Sequence, residues 1–174
     1  MITVIQAHPV PESFNGALLE AATEGLSTRG TPTVFSLGQG DEPGPSAQDL
    51  EPTTELWFIY PTWWGGQPAV LLDWIQRTLG PWIDEGEMTP SPLSNTTRLV
   101  AVTTHGSPPF ANRLQGDAAR QMLNHVIRPL CAPDTELEWV GFYTIDRSEQ
   151  AERQAFVDRV RKSAESSTAV PANA

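Results

Sequence analysis

Residues 56–75 read L-W-F-I-Y-P-T-W-W-G-G-Q-P-A-V-L-L-D-W-I, and they contain in miniature the unit from which the chain is built. Leu56 to Tyr60 is an uninterrupted apolar run of strand length, Pro61 stops it, and Gly65, Gly66 and Pro68 mark a loop. An amphipathic segment follows, with Leu71, Leu72, Ile75 and Leu79 on one helical face and Gly80-Pro81 as its end. The pair Trp63-Trp64 on the loop has two readings: it roofs the core, or it offers a flat apolar wall to a planar ligand.

The same strand, loop and helix recur on either side. Ile2 to Gln6 reads as a strand, and the turn His8 to Ser13 leads into a helix carrying Leu18, Leu19, Ala22 and Leu26. Thr33 to Leu37 is a weaker strand, and Gly38 to Pro52, polar and proline-rich, reads as loop or mobile surface. Pro81 to Asn95 is too rich in breakers for regular structure; it is a lid, a dimer contact or a plain surface connection. Leu99 to Thr103 is a strand, and Ala119, Met122, Leu123, Val126, Ile127 and Leu130 supply a helical face. Leu137 to Thr144 is the last strand, and Ser148 caps a final helix with Ala151, Ala155, Phe156 and Val160 turned inward. Strand and helix alternate about five times, so the expectation is an α/β domain over 1–165, with a five-stranded parallel sheet covered on both faces and a tail over 166–174.

Composition narrows the function. The formal net charge is -10, with acidic residues such as Asp41, Glu42 and Glu51 spread along the chain as a solvated surface, which disfavours nucleic acid and anionic membranes as partners. A single cysteine, Cys131, excludes an intramolecular disulfide and reads as a small buried hydrophobe, and three scattered histidines give no metal-ligand spacing. The first residues lack a signal pattern and no apolar run reaches spanning length, so a soluble cytoplasmic protein is expected.

Three unusual loops, 8–15, 61–67 and 103–107, all follow strands. In a doubly wound sheet they converge on one edge, in the crevice where strand order reverses. The first, H-P-V-P-E-S-F-N, opens a helix where Ser13 and Asn15 either cradle an anion with the first-turn N–H groups or simply cap the helix. His8 joins that cradle or is a hydrogen-bonded histidine at the core edge. The G-x-x-x-x-G-K-[ST] and G-x-G-x-x-G patterns are both missing, so the anion expected is a smaller phosphate or a cofactor's phosphate arm.

H-P-x-P-x-S-F-N after the first strand, Y-P-T-W-W-G-G-Q-P-A-V-L-L-D-W-I after the third and T-T-H-G after the fourth together resemble the flavodoxin-like NAD(P)H:quinone oxidoreductases, including the ancillary oxidoreductases of potassium efflux systems. The resemblance covers about residues 1–142 and implies a flavin held by its phosphate at His8, Ser13, Phe14 and Asn15. Its ring system would rest on Pro61, Thr62, Trp63 and Trp64, with Thr103, Thr104, His105 and Gly106 on the pyrimidine side. Trp82 and Phe110 are candidates for the open, substrate-binding face. The activity implied is hydride transfer from NAD(P)H, through FMN or FAD, to a quinone or similar small planar acceptor, with a homodimer completing the site. The short loop after the second strand favours FMN.

The chain departs from the family's pattern in one region. His105 stands where many relatives have glycine, as a tentative catalytic donor to substrate or flavin, or as a solvent-facing ring. Aligning Gly116-Asp117 puts Gln115 where the quinone reductases carry a histidine, and their tyrosine has no match between Ser107 and Asp117. These losses favour a second reading: a flavin- or nucleotide-binding module that controls a partner protein with little turnover. A flavin-dependent tailoring enzyme for aromatic metabolites is a third.

Overall fold

The computed structural model describes residues 1–40, 43–84 and 90–166; Asp41 and Glu42, the middle of the expected 81–95 loop and most of the expected tail lie outside them. The elements run β1 (Ile2–Ala7), α1 (Phe14–Ser27), β2 (Thr33–Leu37), α2 (Ala47–Leu50), β3 (Glu55–Thr62), α3 (Ala69–Asp84), β4 (Arg98–His105), α4 (Pro109–Leu114), α5 (Ala118–Met122), β5 (Glu136–Phe142) and α6 (Gln150–Glu165). All strand pairs are parallel, in the order β2-β1-β3-β4-β5, so the order reverses beside β1 and β3. The central strands are buried on both faces. One layer gathers Ile5, Phe58, Leu71, Trp74, Leu79, Leu99 and Leu123. The other gathers Val4, Leu18, Trp57, Val100, Phe156 and Val160. Gly25 lets α1 and α6 approach closely: a methyl group there would meet Arg161 O at 2.5 Å and Ala164 Cβ at 2.7 Å.

Several sequence expectations are corrected. Pro61 does not stop β3; it continues the strand opposite Thr104 on β4. Pairing with β1 ends at Ile59, so beyond it β3 has an open side where a missing N–H costs no ladder bond. Nor does Gly80-Pro81 end α3, which continues to Asp84 with Pro81 inside it. The inward face of this helix is Leu71, Trp74, Ile75, Thr78 and Leu79, and packing along it outweighs the lost hydrogen bond, while Leu72 is left exposed. The 38–52 segment is anchored: Ser46 and Asp49 form a reciprocal cap on α2, Leu50 is buried, and Trp74 Nε1 donates to Pro45 O at 2.9 Å.

After α5 the chain widens into a π turn over Leu123–Ile127 and tightens into a 3-10 turn over Arg128–Leu130. Ala119, Leu123, Ile127 and Cys131 are the buried positions, and their four-residue spacing stays on one face only if the turn widens. The last helix is capped by Glu149 with Glu152, not by Ser148. Its buried face is Phe156, Val160, Ser163 and Ala164, with Ala151 and Ala155 exposed. Cys131 is buried, and burial pushes its thiol up to about 12, so it stays protonated and unreactive.

Candidate functional site

The three loops do converge on the carboxyl edge of the sheet. Ser13 caps α1, its Oγ accepting from Gly16 N–H at 3.2 Å. Pro11 O folds over the same turn and accepts from Ser13 N–H at 2.8 Å. A methyl group at position 16 would sit 2.2 Å from Pro11 O, so the loop closes this tightly only over glycine. The N–H groups of Phe14 and Asn15, in the first turn, have no carbonyl one turn back and are available to an anion. Phe14 contributes backbone alone, because its ring packs inward against Phe142 at 5.7 Å and Phe156 at 6.5 Å.

Asn15 is 4% exposed and joins this loop to the one after β4, its Nδ2 donating to Thr104 Oγ1 at 3.2 Å. Its Oδ1 is buried with no partner among the described residues. The two ends of the amide are interchangeable. Turned over, Asn15 accepts from the Thr104 hydroxyl and presents its NH2 as a donor in the cradle. His8 completes this side. Its ring meets Trp63 edge-on, with centroids 5.7 Å apart, and Nδ1 is engaged by the backbone of Val10, leaving Nε2 for a ligand.

Trp63 and Trp64 lie on a tight turn closed by two hydrogen bonds between Trp63 and Gly66, each 3.0 Å. Trp64 and Gly65 both have positive φ, 54° and 81°. A tryptophan there carries local backbone strain, and its side chain is 106% exposed, so the turn displays the indole instead of roofing the core. On one side of the turn, Pro61, Thr62, the two tryptophans, Thr104 and Gly106 line a cleft of about 310 Å³. On the other, Pro9, Gly38, Pro68, Val70 and Leu72 line an apolar groove of about 540 Å³ that shares both indoles. Thr62 Oγ1 is buried at the cleft wall with no partner among the described residues.

His105 does not face solvent. It is 1% exposed, its ring stacked on Tyr143 at 4.4 Å and 14° and its Nε2 2.8 Å from Thr103 Oγ1. Thr103, also fully buried, thus spends its side chain on the histidine. Burial pulls the His105 pKa down to about 4, with the Asn112 side chain only partly opposing, so the ring is neutral at ordinary pH. The cleft lining takes in Thr104 and Gly106 on either side of His105 but not the histidine itself. Trp82 lies elsewhere, in a cavity with Pro43, Pro45, Arg77 and Thr78, thirteen residues along α3 from Ala69, roughly 20 Å at helical rise. Phe110 stands just past the carboxyl end of β4, on the first turn of α4, and is 70% exposed.

Two residues of the cleft escaped sequence reading. Ile145 and Asp146 complete its lining from the turn after β5. The signal available was Tyr143-Thr144-Ile145-Asp146 following a strand, but the loop's path depends on Thr144 adopting φ 56°, which its residue type does not announce. Among the described residues no group of His, Cys, Asp and Glu is placed to hold a metal ion, and no helix is long and apolar enough to cross a membrane.

A doubly wound sheet with its ligand-sized cleft at the switch point defines the class. The chain belongs to the family with the flavodoxin-like fold, whose model matches residues 1–166. Among solved structures it is similar to Smu.1420 from Streptococcus mutans UA159, at 21% identity and a TM-score of 0.78, covering 95% of this chain and 99% of that one. A second is the NAD(P)H:quinone oxidoreductase from Methanothermobacter marburgensis, at 22% identity and 0.68, covering 94% of each chain. A third is an FMN-dependent NADH-azoreductase from Bacillus anthracis str. Ames Ancestor, in complex with FMN, at 11% and 0.71, covering 94% and 98%. A comparison with curated proteins found no match.

Proposed function

We propose that this chain is a flavin-dependent oxidoreductase that binds FMN, or alternatively FAD, and passes hydride from NAD(P)H to a quinone or similar small planar acceptor. The observation that carries the reading is the link between cradle and cleft: Asn15, at the start of α1, is hydrogen-bonded to Thr104, which lines the cleft beside Trp63 and Trp64. An anion-binding helix start and a flat aromatic wall are therefore fixed relative to one another, as a phosphate joined to a planar ring requires. The names of the similar structures support the same reading.

The residues fit the group. The partnerless end of the buried Asn15 amide, the first-turn N–H groups and His8 Nε2 would hold the phosphate; Pro61, Thr62 and Trp63 would bear the ring. A bound flavin supplies the hydride chemistry, so the chain needs no metal of its own. The protein's part is to orient the donor and acceptor on the open face, with Phe110 and Trp64 at its margin, and to keep water off the wall. The soluble cytoplasmic setting expected from the sequence belongs to this proposal, as does a homodimer.

The alternative is a flavin- or nucleotide-binding module that controls a partner with little turnover. It is favoured by His105, whose buried ring offers the cleft no acid or base. One experiment separates the two. Protein incubated with FMN and desalted should retain the flavin absorption and bleach with NADPH anaerobically; Asn15→Ala and Trp63→Ala should each retain less flavin while staying folded. Retention without bleaching selects the module, and no retention defeats the oxidoreductase reading and leaves only a module that binds a nucleotide without flavin.

A further inference from the structure

The turn that closes the cleft is built with more care than a connection needs. Thr144, a β-branched residue, is held at φ 56°, a left-handed conformation unfavourable to such a side chain. Its N–H donates to Ser107 O at 3.3 Å, tying the turn to the loop after β4. Behind it, Ile145 O accepts from Ser148 Oγ at 2.7 Å and from Arg153 Nη2 at 3.1 Å, while Arg153 Nε donates to Ser148 Oγ at 2.9 Å. The outcome of this scaffolding is the placement of one side chain. Asp146 lines the cleft, and its Oδ2 lies where a methyl group added at Gly106 would come within 2.9 Å of it. Among the described residues Asp146 makes no hydrogen bond and no ion pair.

The edge of a pyrimidinedione presents two carbonyl acceptors flanking one imide N–H donor. Backbone N–H groups and indole N–H groups serve the carbonyls and leave the imide N–H without an acceptor. In this cleft Thr104 Oγ1 is already engaged by Asn15, and Thr62 Oγ1 is buried in the wall. The Asp146 carboxylate is a charged acceptor at the open side, beside Gly106. We propose that Asp146 accepts the imide N–H of the flavin's pyrimidinedione edge and so determines which planar heterocycles the cleft takes. The proposal rests on the flavin reading above and adds to it a residue, an atom and a discrimination.

The test is the dissociation constant of FMN and of its N3-methylated analogue, measured by quenching of flavin fluorescence with wild type, Asp146→Ala and Asp146→Asn. Wild type should bind FMN about tenfold more tightly than the N-methyl analogue, the weight of one hydrogen bond to a charged group. Asp146→Ala should lose that preference, binding FMN about tenfold more weakly and the analogue about as before; Asp146→Asn, which keeps an acceptor oxygen, should retain part of it. Equal discrimination in wild type and Asp146→Ala, or none in wild type, overturns the assignment while leaving the flavin reading standing. Failure of all three proteins to bind FMN overturns the flavin reading, and the assignment with it.

Discussion

His105 shows how one side chain is fixed by competing demands. Strand alternation puts Thr103 and His105 on the face opposite Thr104; Thr104 therefore reaches Asn15 while His105 turns inward onto Tyr143. The motif T-T-H-G made the histidine visible, but not its direction, because the ring's partner, Tyr143, comes from just past the end of β5, far along the chain. A titration follows from the burial. Below its ordinary pKa of 6.5 an unfolded His105 binds a proton that the folded ring refuses until about pH 4. This contribution to stability is thus complete above pH 6.5 and is lost as pH falls toward 4, in all roughly 3 kcal/mol. Denaturant unfolding at pH 7 and pH 4 should show wild type losing that much more than His105→Phe, which keeps the stack without the titration. Parallel losses in the two proteins would refute it. Gly16 is a second case: Gly16→Ala should weaken FMN retention and lower the melting temperature together, since the methyl group cannot coexist with Pro11 O.

At the scale of elements, the strands were the most legible part. Continuous apolar runs such as Leu56–Tyr60 and Leu99–Thr103 have few other homes than a parallel sheet buried on both faces. Helix ends were less legible because local signals lose to packing: α3 runs through Gly80-Pro81, and α6 starts on an acidic reciprocal cap. Least visible was the ionic cluster under the amino edge of the sheet. Arg98 of β4 pairs with Glu55 of β3 at 2.8 Å and with Glu138 of β5 at 2.7 Å, and all three are buried. Arg29, following α1, pairs with Glu55 and donates to the carbonyls of Ala164 and Ser166. Arg98 also donates to Ser163 O and Ser166 O and lies 5.4 Å from the centroid of Trp57, so the cluster clamps the end of α6 to three strands. Arg98→Met should cost about 3–5 kcal/mol, because it leaves Glu138 charged and unpaired in the interior. Arg98→Met with Glu138→Gln should cost less than the two single losses added. Strict additivity in urea unfolding would show that the pair acts independently.

For the whole molecule, the decisive feature is where apolar surface is left uncovered. Trp64 is fully exposed, Leu114 is 84% exposed and Phe110 70%, and a Cβ built on Gly65 lies 3.6 Å from Gln115 Oε1, next to Leu114, so the tryptophan turn and the end of α4 are neighbours. Phe110 and Leu114, four apart on one helix, share a face. Together they rim the proposed site. A chain with net charge -10 repels copies of itself at long range, so association needs an apolar contact of this kind to overcome that repulsion. A two-fold arrangement would lay the same patch against itself and bury three aromatic or leucine anchors per subunit, the residue types that carry interface energy. Sedimentation at micromolar concentration should therefore give a mass twice 19.0 kDa. Trp64→Asp should give the single mass with an unchanged far-UV spectrum, at a cost to association of roughly 2 kcal/mol or more. Because the patch borders the cleft, that variant should also retain less FMN when diluted to monomer. If wild type sediments as a monomer, the exposed indole must instead serve the ligand alone, and Trp64→Asp would lower flavin retention with no dependence on protein concentration.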